Sequence, residues 1–240
     1  MTARILWCMA VLTRVMVAQG VTAPPLLRSE PAVTSGEAVG LGLTTLAAMA
    51  VIPLDQRIAV WMGDSAQHRS PSINKLLTGG RLFGAPGSII LGAALWAGGS
   101  LAKDNDTAND GVRSLEAVAV GSIVTILVKR IVGRAPPSAR PSGARNFSLG
   151  RGFSGGNNYK SFPSGHTTAA FAFASAVTAR ASRRSSTRAS WPGPLLYGAA
   201  SLTGISRVYD GSHWFSDVVM GAGIGTITGL LLVRHLDHRP

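Results

Sequence analysis

Apolar residues fall in six stretches of the chain that contain no charged side chain, and polar, basic segments separate them. Leu, Ala and Gly outweigh alternating β-branched residues in these stretches, and the runs exceed the usual strand length, so the pattern predicts helices. Only residues 82–102 reach the length of about 20 expected of a membrane span. We therefore expect an all-α bundle of about six helices, embedded in or associated with a membrane, with a bundle packed in water as the alternative. The stretches are 38–54, 82–102, 117–128, 167–179, 189–206 and 218–233.

The first 36 residues have the pattern of a leader followed by a linker. Residues 1–23 contain Arg4, a short apolar run and small residues before Pro24, which is typical of a secretory signal peptide or an N-terminal anchor. Residues 24–36 contain three prolines and are predicted to be a linker. The helical domain is then expected over residues 37–240.

The composition narrows the classes of protein and of partner. With 46% hydrophobic and 14% charged residues among 240, most of the chain cannot be disordered. The single Cys8 excludes an intramolecular disulfide framework and a cysteine-cluster metal site. The net charge of +12 favours an anionic partner, such as a phosphate-bearing lipid or small molecule. Nucleic acid is not expected, because the arginines lie mostly in loops and no nucleic-acid motif is present.

One acidic stretch resembles a calcium loop only superficially. Residues 104–111 carry aspartates at alternating positions, but Ala108 and Leu115 stand where a fifth-position ligand and a bidentate glutamate are needed. We therefore expect a solvated turn here and predict no metal site anywhere in the chain.

Two segments at the edges of apolar stretches could bind an anion. Lys129 closes the stretch 117–128, where a cation also suits the C-terminal end of a helix dipole. Ser164 stands at an N-cap position, and Gly165 and His166 follow it. The unpaired backbone N–H groups at such a helix start favour a bound anion, although a simple capping turn is the alternative.

A third segment, residues 206–217, contains Arg207, His213 and Asp217. His213 and Asp217 are four residues apart, so on a helix they share a face and can form a hydrogen bond. A carboxylate that accepts from one ring nitrogen fixes the tautomer and leaves the other nitrogen as a base or nucleophile. A purely structural His–Asp pair is the alternative.

Together these segments resemble the signature of the type-2 phosphatidic acid phosphatase family. Its superfamily also includes bacterial non-specific acid phosphatases and vanadium-dependent haloperoxidases. The family pattern is Lys-x6-Arg-Pro, then Pro-Ser-Gly-His, then Ser-Arg-x5-His-x3-Asp. Residues 163–166 match the second element, and Ser206, Arg207, His213 and Asp217 match the third at full spacing. The resemblance covers about residues 112–220.

The first element departs from the family pattern. Counted from Lys129, the family's arginine falls on Pro136, so a bound phosphate loses a bidentate guanidinium. Arg134 and Arg140 are the two arginines considered as substitutes. The departure keeps open a weakly active or non-catalytic membrane protein that binds anionic phosphate headgroups. A vanadate-dependent, oxidant-forming enzyme is a third hypothesis, against which Pro136 argues.

The resemblance implies hydrolysis of a phosphomonoester or diphosphate through a phosphohistidine, without metal or cofactor. His213 is the implied nucleophile, Asp217 orients it, and His166 acts first as acid and then as base. A lipid phosphate is the implied substrate, such as phosphatidate, phosphatidylglycerophosphate or isoprenyl diphosphate, and the loop 135–161 is expected to select it. The site is expected to face outside the cytoplasm, at a bacterial-type cell membrane or in the periplasm. The implied phosphate-binding groups are Lys129, Ser164, the N–H of Gly165, Arg207 and, as the substitute guanidinium, Arg134.

Overall fold

The computed structural model describes residues 33–63, 70–139, 143–154, 156–184 and 192–237. The chain divides into two units after Thr34, and the second, Ser35–Pro240, contains nearly all of the described residues. The predicted leader 1–23, most of the predicted linker 24–36 and Arg140 lie outside the described residues.

The described part of the second unit is all α-helical, as predicted, and contains no β-strand. Pro71–Leu82 and Ser88–Ala102 meet at a kink, Phe83–Gly87, where Gly84 has non-helical backbone angles (φ −55°, ψ −144°); they form one segment, so the seven α-helices of the described residues make six helical segments. The helices are α1 Ser35–Met62, α2 Pro71–Leu82, α3 Ser88–Ala102, α4 Asn105–Val132, α5 Gly165–Arg184, α6 Pro192–Tyr209 and α7 Phe215–Asp237.

Three helical segments among the described residues are long and apolar enough to cross a membrane: Ser35–Met62, Pro71–Ala102 and Phe215–Leu236. The expectation that only residues 82–102 reach this length was wrong, because the helices continue past the charge-free stretches. Many apolar side chains of α1, including Leu43 and Leu46, are exposed on the bundle surface. An apolar surface of this kind is expected of a helix that faces lipid.

Helix α5 packs against α4, α6 and α7, and its buried face is mainly alanine. Glycines of α7 allow close approach to α5. A Cβ added at Gly225 would lie 2.4 Å from the carbonyl oxygen of Thr168, and one at Gly221 would lie 2.6 Å from that of Ser164. The small residues therefore hold the N-terminal ends of α5 and α7 against each other.

The acidic stretch 104–111 begins α4 and is not the solvated turn that was expected. Asp104 is the N-cap and accepts a hydrogen bond from the backbone N–H of Thr107 at 3.2 Å. This cap satisfies a helix N–H that otherwise lacks a partner. Asp110 is buried and pairs with Arg180 of α5 at 2.6 Å, so the stretch also ties α4 to α5.

Candidate active site

His213 and Asp217 lie together at the start of α7. His213 is in the bend before the helix, and Asp217 is in the first turn. Asp217 Oδ2 is 3.5 Å from Nδ1 of His213, and both side chains are buried. The four-residue spacing predicted both residues on one helix, whereas α7 begins only at Phe215. The carboxylate therefore contacts Nδ1 from the first turn of α7, and Nε2 is the ring nitrogen that does not face Asp217.

The backbone of the bend that carries His213 is held by α6. The N–H groups of Ser212 and His213 donate to the carbonyl oxygen of Arg207 at 3.1 and 3.2 Å. Gly211 adopts a φ of 64°, in the left-handed region that favours glycine. Its carbonyl oxygen accepts a hydrogen bond from the N–H of Ser138 at 3.0 Å. These bonds fix the backbone from which the imidazole projects.

Burial lowers the pKa of His213 below its usual value. The hydrogen bond to Asp217 opposes this shift, while the positive charges of Lys129 and Arg207 add to it. A lowered pKa keeps the ring neutral at physiological pH, and a neutral imidazole has a lone pair with which to attack.

The carboxylate of Asp217 accepts hydrogen bonds on both oxygens. Oδ2, which faces His213, also accepts from Ser161 Oγ at 2.5 Å and from the backbone N–H of Trp214 at 2.9 Å. Oδ1 accepts from Arg134 Nη1 at 2.5 Å. The carboxylate is therefore fixed in orientation independently of the imidazole.

Arg134 lies behind Asp217 and is fully buried. Nη1 donates to Ser216 Oγ at 2.7 Å as well as to Asp217, and Nη2 donates to Asp55 Oδ2 at 2.7 Å. The carbonyl oxygen of Ala144 accepts from both Nε and Nη2. These contacts use all five N–H groups of the guanidinium.

The structure therefore does not place Arg134 where a phosphate-binding arginine was expected. Its side chain has no exposed surface and no N–H left for a phosphate. It therefore does not substitute for the family's arginine, whose position Pro136 occupies. It supports Asp217 instead.

Three side chains of this network, those of Asp55, Ser161 and Ser216, were not predicted. Asp55 of α1 is fully buried and accepts from the backbone N–H of Ser216 at 2.9 Å in addition to its bond with Arg134. An acidic residue directly after an apolar stretch, here 38–54, is a signal that could have identified Asp55. No comparable signal marks Ser161, whose hydroxyl donates to Asp217.

Lys129 lies in the last turn of α4, next to the start of α5. Its Nζ donates to the carbonyl oxygens of Lys160 and Ser161 at 2.6 and 3.0 Å. A Cβ added at Gly165 would lie 3.9 Å from Lys129 Cε. The ammonium group is thereby held beside the first turn of α5.

The N-terminal ends of α5 and α7 are joined directly by a backbone hydrogen bond. The backbone N–H of Ser164 donates to the carbonyl oxygen of Asp217 at 2.9 Å. The carbonyl of Ser164 accepts from the N–H of Thr168, so Ser164 is the N-cap residue, and its Oγ accepts from Thr167 Oγ1 at 2.9 Å. Since the first N–H groups of a helix have no partner within it, those at Gly165 and beyond are suited to an anion.

His166 lies in the first turn of α5 and packs against the kink between α2 and α3. A Cβ added at Gly84 would lie 2.8 Å from Cδ2 of the ring. Arg207, His213 and Lys129 all act electrostatically on this ring. The two histidines and the two cations therefore lie at the same end of the bundle.

Arg207 completes the cationic part of the site. Its Nη1 donates to Asp210 Oδ2 at 3.1 Å, and its Nε is buried without a hydrogen-bond partner among the described residues. A buried donor that lacks a partner in the protein is suited to an incoming acceptor. The structure thus brings together Lys129, Ser164, Gly165, His166, Arg207, His213 and Asp217, with Arg134 behind Asp217.

The described residues form a helical bundle that places two histidines, a lysine and an arginine at neighbouring helix ends. The family model described as the PAP2 superfamily matches residues 110–239, and the chain belongs to this superfamily. The resemblance drawn from the three motif segments is confirmed.

The chain is similar to a lipid A 1-phosphatase from Porphyromonas gingivalis, with 41% identity over 88 residues. These are 37% of this chain and 19% of the relative, so the match spans about a fifth of that protein. A transmembrane PAP2 type phosphatidylglycerolphosphate phosphatase from Bacillus subtilis shares the fold, with a TM-score of 0.63, 24% identity and coverage of 84% of this chain and 96% of that one. LpxE from Aquifex aeolicus does so with a TM-score of 0.55, 21% identity and coverage of 76% and 96%.

Proposed function

We propose that the chain hydrolyses a phosphate monoester or diphosphate carried by a lipid, through a phosphohistidine at His213. The observation that carries this proposal is the imidazole fixed by Asp217 beside Lys129 and Arg207. Membership of the PAP2 superfamily supports it, and so do relatives named as lipid phosphatases.

In the first step, Nε2 of His213 attacks phosphorus opposite the ester oxygen. A P–N bond forms, the P–O bond breaks, and its electron pair goes to the leaving oxygen, which takes a proton from His166. The negative charge of the bound phosphate favours the protonated form of His166 that this transfer needs. Lys129, Arg207 and the backbone N–H groups at the start of α5 hold the non-bridging oxygens.

In the second step, His166 takes a proton from a water molecule that attacks the phosphorus of the phosphohistidine. The P–O bond to water forms, and the P–N bond breaks with its electron pair returning to His213. Inorganic phosphate leaves, and His166 is again protonated for the next cycle. All groups in the two steps are side chains and backbone of this chain, so the proposed reaction requires no metal.

Asp55, Arg134 and Asp217 support this chemistry from behind the imidazole. His213 becomes positively charged as the P–N bond forms, and the negative charge of Asp217 stabilises it. Arg134 alone would offset that negative charge, but Asp55 pairs with Arg134 as well at 2.7 Å. The three buried groups together retain one negative charge for the imidazole.

The proposed location is a bacterial-type cell membrane, with the site facing outside the cytoplasm. Three segments with the length and composition of membrane spans and the exposed apolar side chains of α1 support the membrane. The outward orientation is carried over from the family resemblance.

The test is phosphate release by the full chain purified in detergent with a chelator present. The substrates are short-chain phosphatidate, phosphatidylglycerophosphate, isoprenyl diphosphate and a water-soluble phosphomonoester. The wild-type chain is expected to release phosphate, and His213→Ala is expected to release none. His235→Ala is the matched control, since His235 lies about 30 Å along α7 from its start. Lipid binding by the wild type with no release from any ester would favour the non-catalytic headgroup binder.

A further inference from the structure

The first motif segment of this chain supplies Lys129 but lacks the arginine of the family pattern. Pro136 stands at the arginine position, and Arg134 is fully engaged by protein groups. A phosphate dianion held by Lys129 and Arg207 would have only one planar, bidentate donor. An arginine from another part of the fold could supply the second bidentate donor.

Arg81, near the end of α2, lies next to Arg207. Arg81 Nη1 is 3.7 Å from Asp210 Oδ2, and Arg207 Nη1 is 3.1 Å from the same oxygen. The two guanidinium groups therefore converge on one carboxylate oxygen. Arg81 also acts electrostatically on His166, so its charge reaches the site itself.

The backbone that carries Arg81 is fixed against α6. The carbonyl oxygen of Gly80 accepts from Thr203 Oγ1 at 2.6 Å, and a Cβ at Gly80 would lie 2.7 Å from Leu202 Cγ. Helix α2 is held against α6 again near the site, where Tyr209 Oη donates to an Asn74 side chain at 2.9 Å. Arg81 is thus presented to the site by a fixed helix.

The guanidinium of Arg81 is available to a ligand. Its side chain is 48% exposed, and its 3.7 Å contact with Asp210 is longer than a hydrogen bond. It borders a solvent-open pocket between α2 and the end of α6. The pocket is lined by Asn74, Leu77, Thr78, Arg81, Tyr209 and Asp210.

We propose that Arg81 binds an oxygen of the substrate phosphate, in place of the guanidinium that Pro136 removes. This inference rests on the proposed function, because it assumes that a phosphate enters between the histidines. A phosphate dianion carries more charge than the carboxylate of Asp210 and competes with it for the same donors. Arg81 is then a substrate-binding residue contributed from outside the matched residues 110–239.

The test is calorimetric titration of the full chain in detergent with inorganic phosphate and with orthovanadate. We expect Arg81→Ala and Arg81→Gln to weaken binding of both ions at least about tenfold, as for the loss of one charge-assisted hydrogen bond. Arg81→Lys is expected to lose less, because it keeps the charge. Arg113→Ala is the control, since Arg113 lies about 24 Å along α4 from Lys129.

Ion binding by Arg81→Ala equal to that of the wild type and the control would overturn the proposal for Arg81. A failure of the proposed function looks different: the wild type would bind phosphate through Arg81 and yet release none from any ester. With a substrate that is cleaved, we expect Arg81→Ala to raise KM by about the same factor and to change kcat less.

Discussion

Arg134 Nη1 lies 2.5 Å from Asp217 Oδ1, on the carboxylate oxygen that faces away from His213. The other oxygen, Oδ2, is the one that meets the imidazole. Asp55 holds the far side of Arg134, although it lies on α1 and outside the matched residues 110–239. The histidine is therefore supported by a buried chain of charges that extends into a helix with no motif residue.

Replacing Arg134 is expected to destabilise the fold. Arg134→Met leaves Asp55 and Asp217 buried without their partner, which costs about 3–5 kcal/mol for a broken buried ion pair. The measurement is the thermal unfolding midpoint in detergent. Arg145→Met is the control, because Arg145 is exposed in the same loop. An unchanged midpoint for Arg134→Met would mean that the two carboxylates do not depend on this guanidinium.

Asp55→Asn is expected to lower kcat about tenfold and to leave KM within about twofold of the wild type. The amide keeps the shape of the side chain but removes a negative charge, so Asp217 must offset Arg134 alone and stabilises the charged imidazole less. Steady-state kinetics on the best substrate provide the measurement. Asp104→Asn is the matched control, since asparagine also caps a helix well. A rise in KM with kcat unchanged would place Asp55 in substrate binding instead.

The pH profile should show the effect of burial on His213. A protonated ring cannot attack, so activity falls below its pKa, and burial lowers that pKa from its usual value. The acid limb of kcat/KM is therefore expected below about 6.5, the usual imidazole value. Asp217→Asn removes the group that raises the pKa, so its residual activity should show the limb at still lower pH. A limb that moves to higher pH in this variant would contradict the assignment.

The close contact between α5 and α7 predicts different effects on stability for alanine substitutions at two glycines. Gly225→Ala is expected to lower the unfolding midpoint, because the new Cβ would lie 2.4 Å from the carbonyl oxygen of Thr168. Gly198→Ala on α6 is the control and should leave the midpoint equal or raise it, since a Cβ there meets nothing within 4 Å and alanine favours helix. Equal midpoints for the two variants would mean that α7 can move away from α5 at little cost.

The helices could be predicted from the sequence because charge-free stretches of this length that are rich in Ala, Gly and Leu favour an α-helix over a strand. His166 and His213 could be predicted as site residues because they belong to motifs whose spacing can be counted directly along the sequence. Membrane-span lengths were underestimated, since α1 and α7 continue through charged residues such as Arg57 and Arg234.

The supporting residues could not be predicted in the same way. Arg134 stands close to the motif position at Pro136, which favoured a role in phosphate binding. Its backbone instead pairs with Phe147 and Lys160, and its side chain is buried behind Asp217. That position depends on how a long loop folds onto α1 and α7, and no local pattern encodes it.

The central claim is that His213 carries the phosphoryl group, and trapping that intermediate tests it most directly. The full chain is mixed with a lipid phosphate radiolabelled in the phosphate, denatured within one turnover at alkaline pH, and digested for peptide mapping. We predict label on the peptide that contains His213 in the wild type, and also in His166→Ala, where both formation and hydrolysis of the phosphohistidine are slowed. Rapid phosphate release with no label at His213 in either protein would contradict the account.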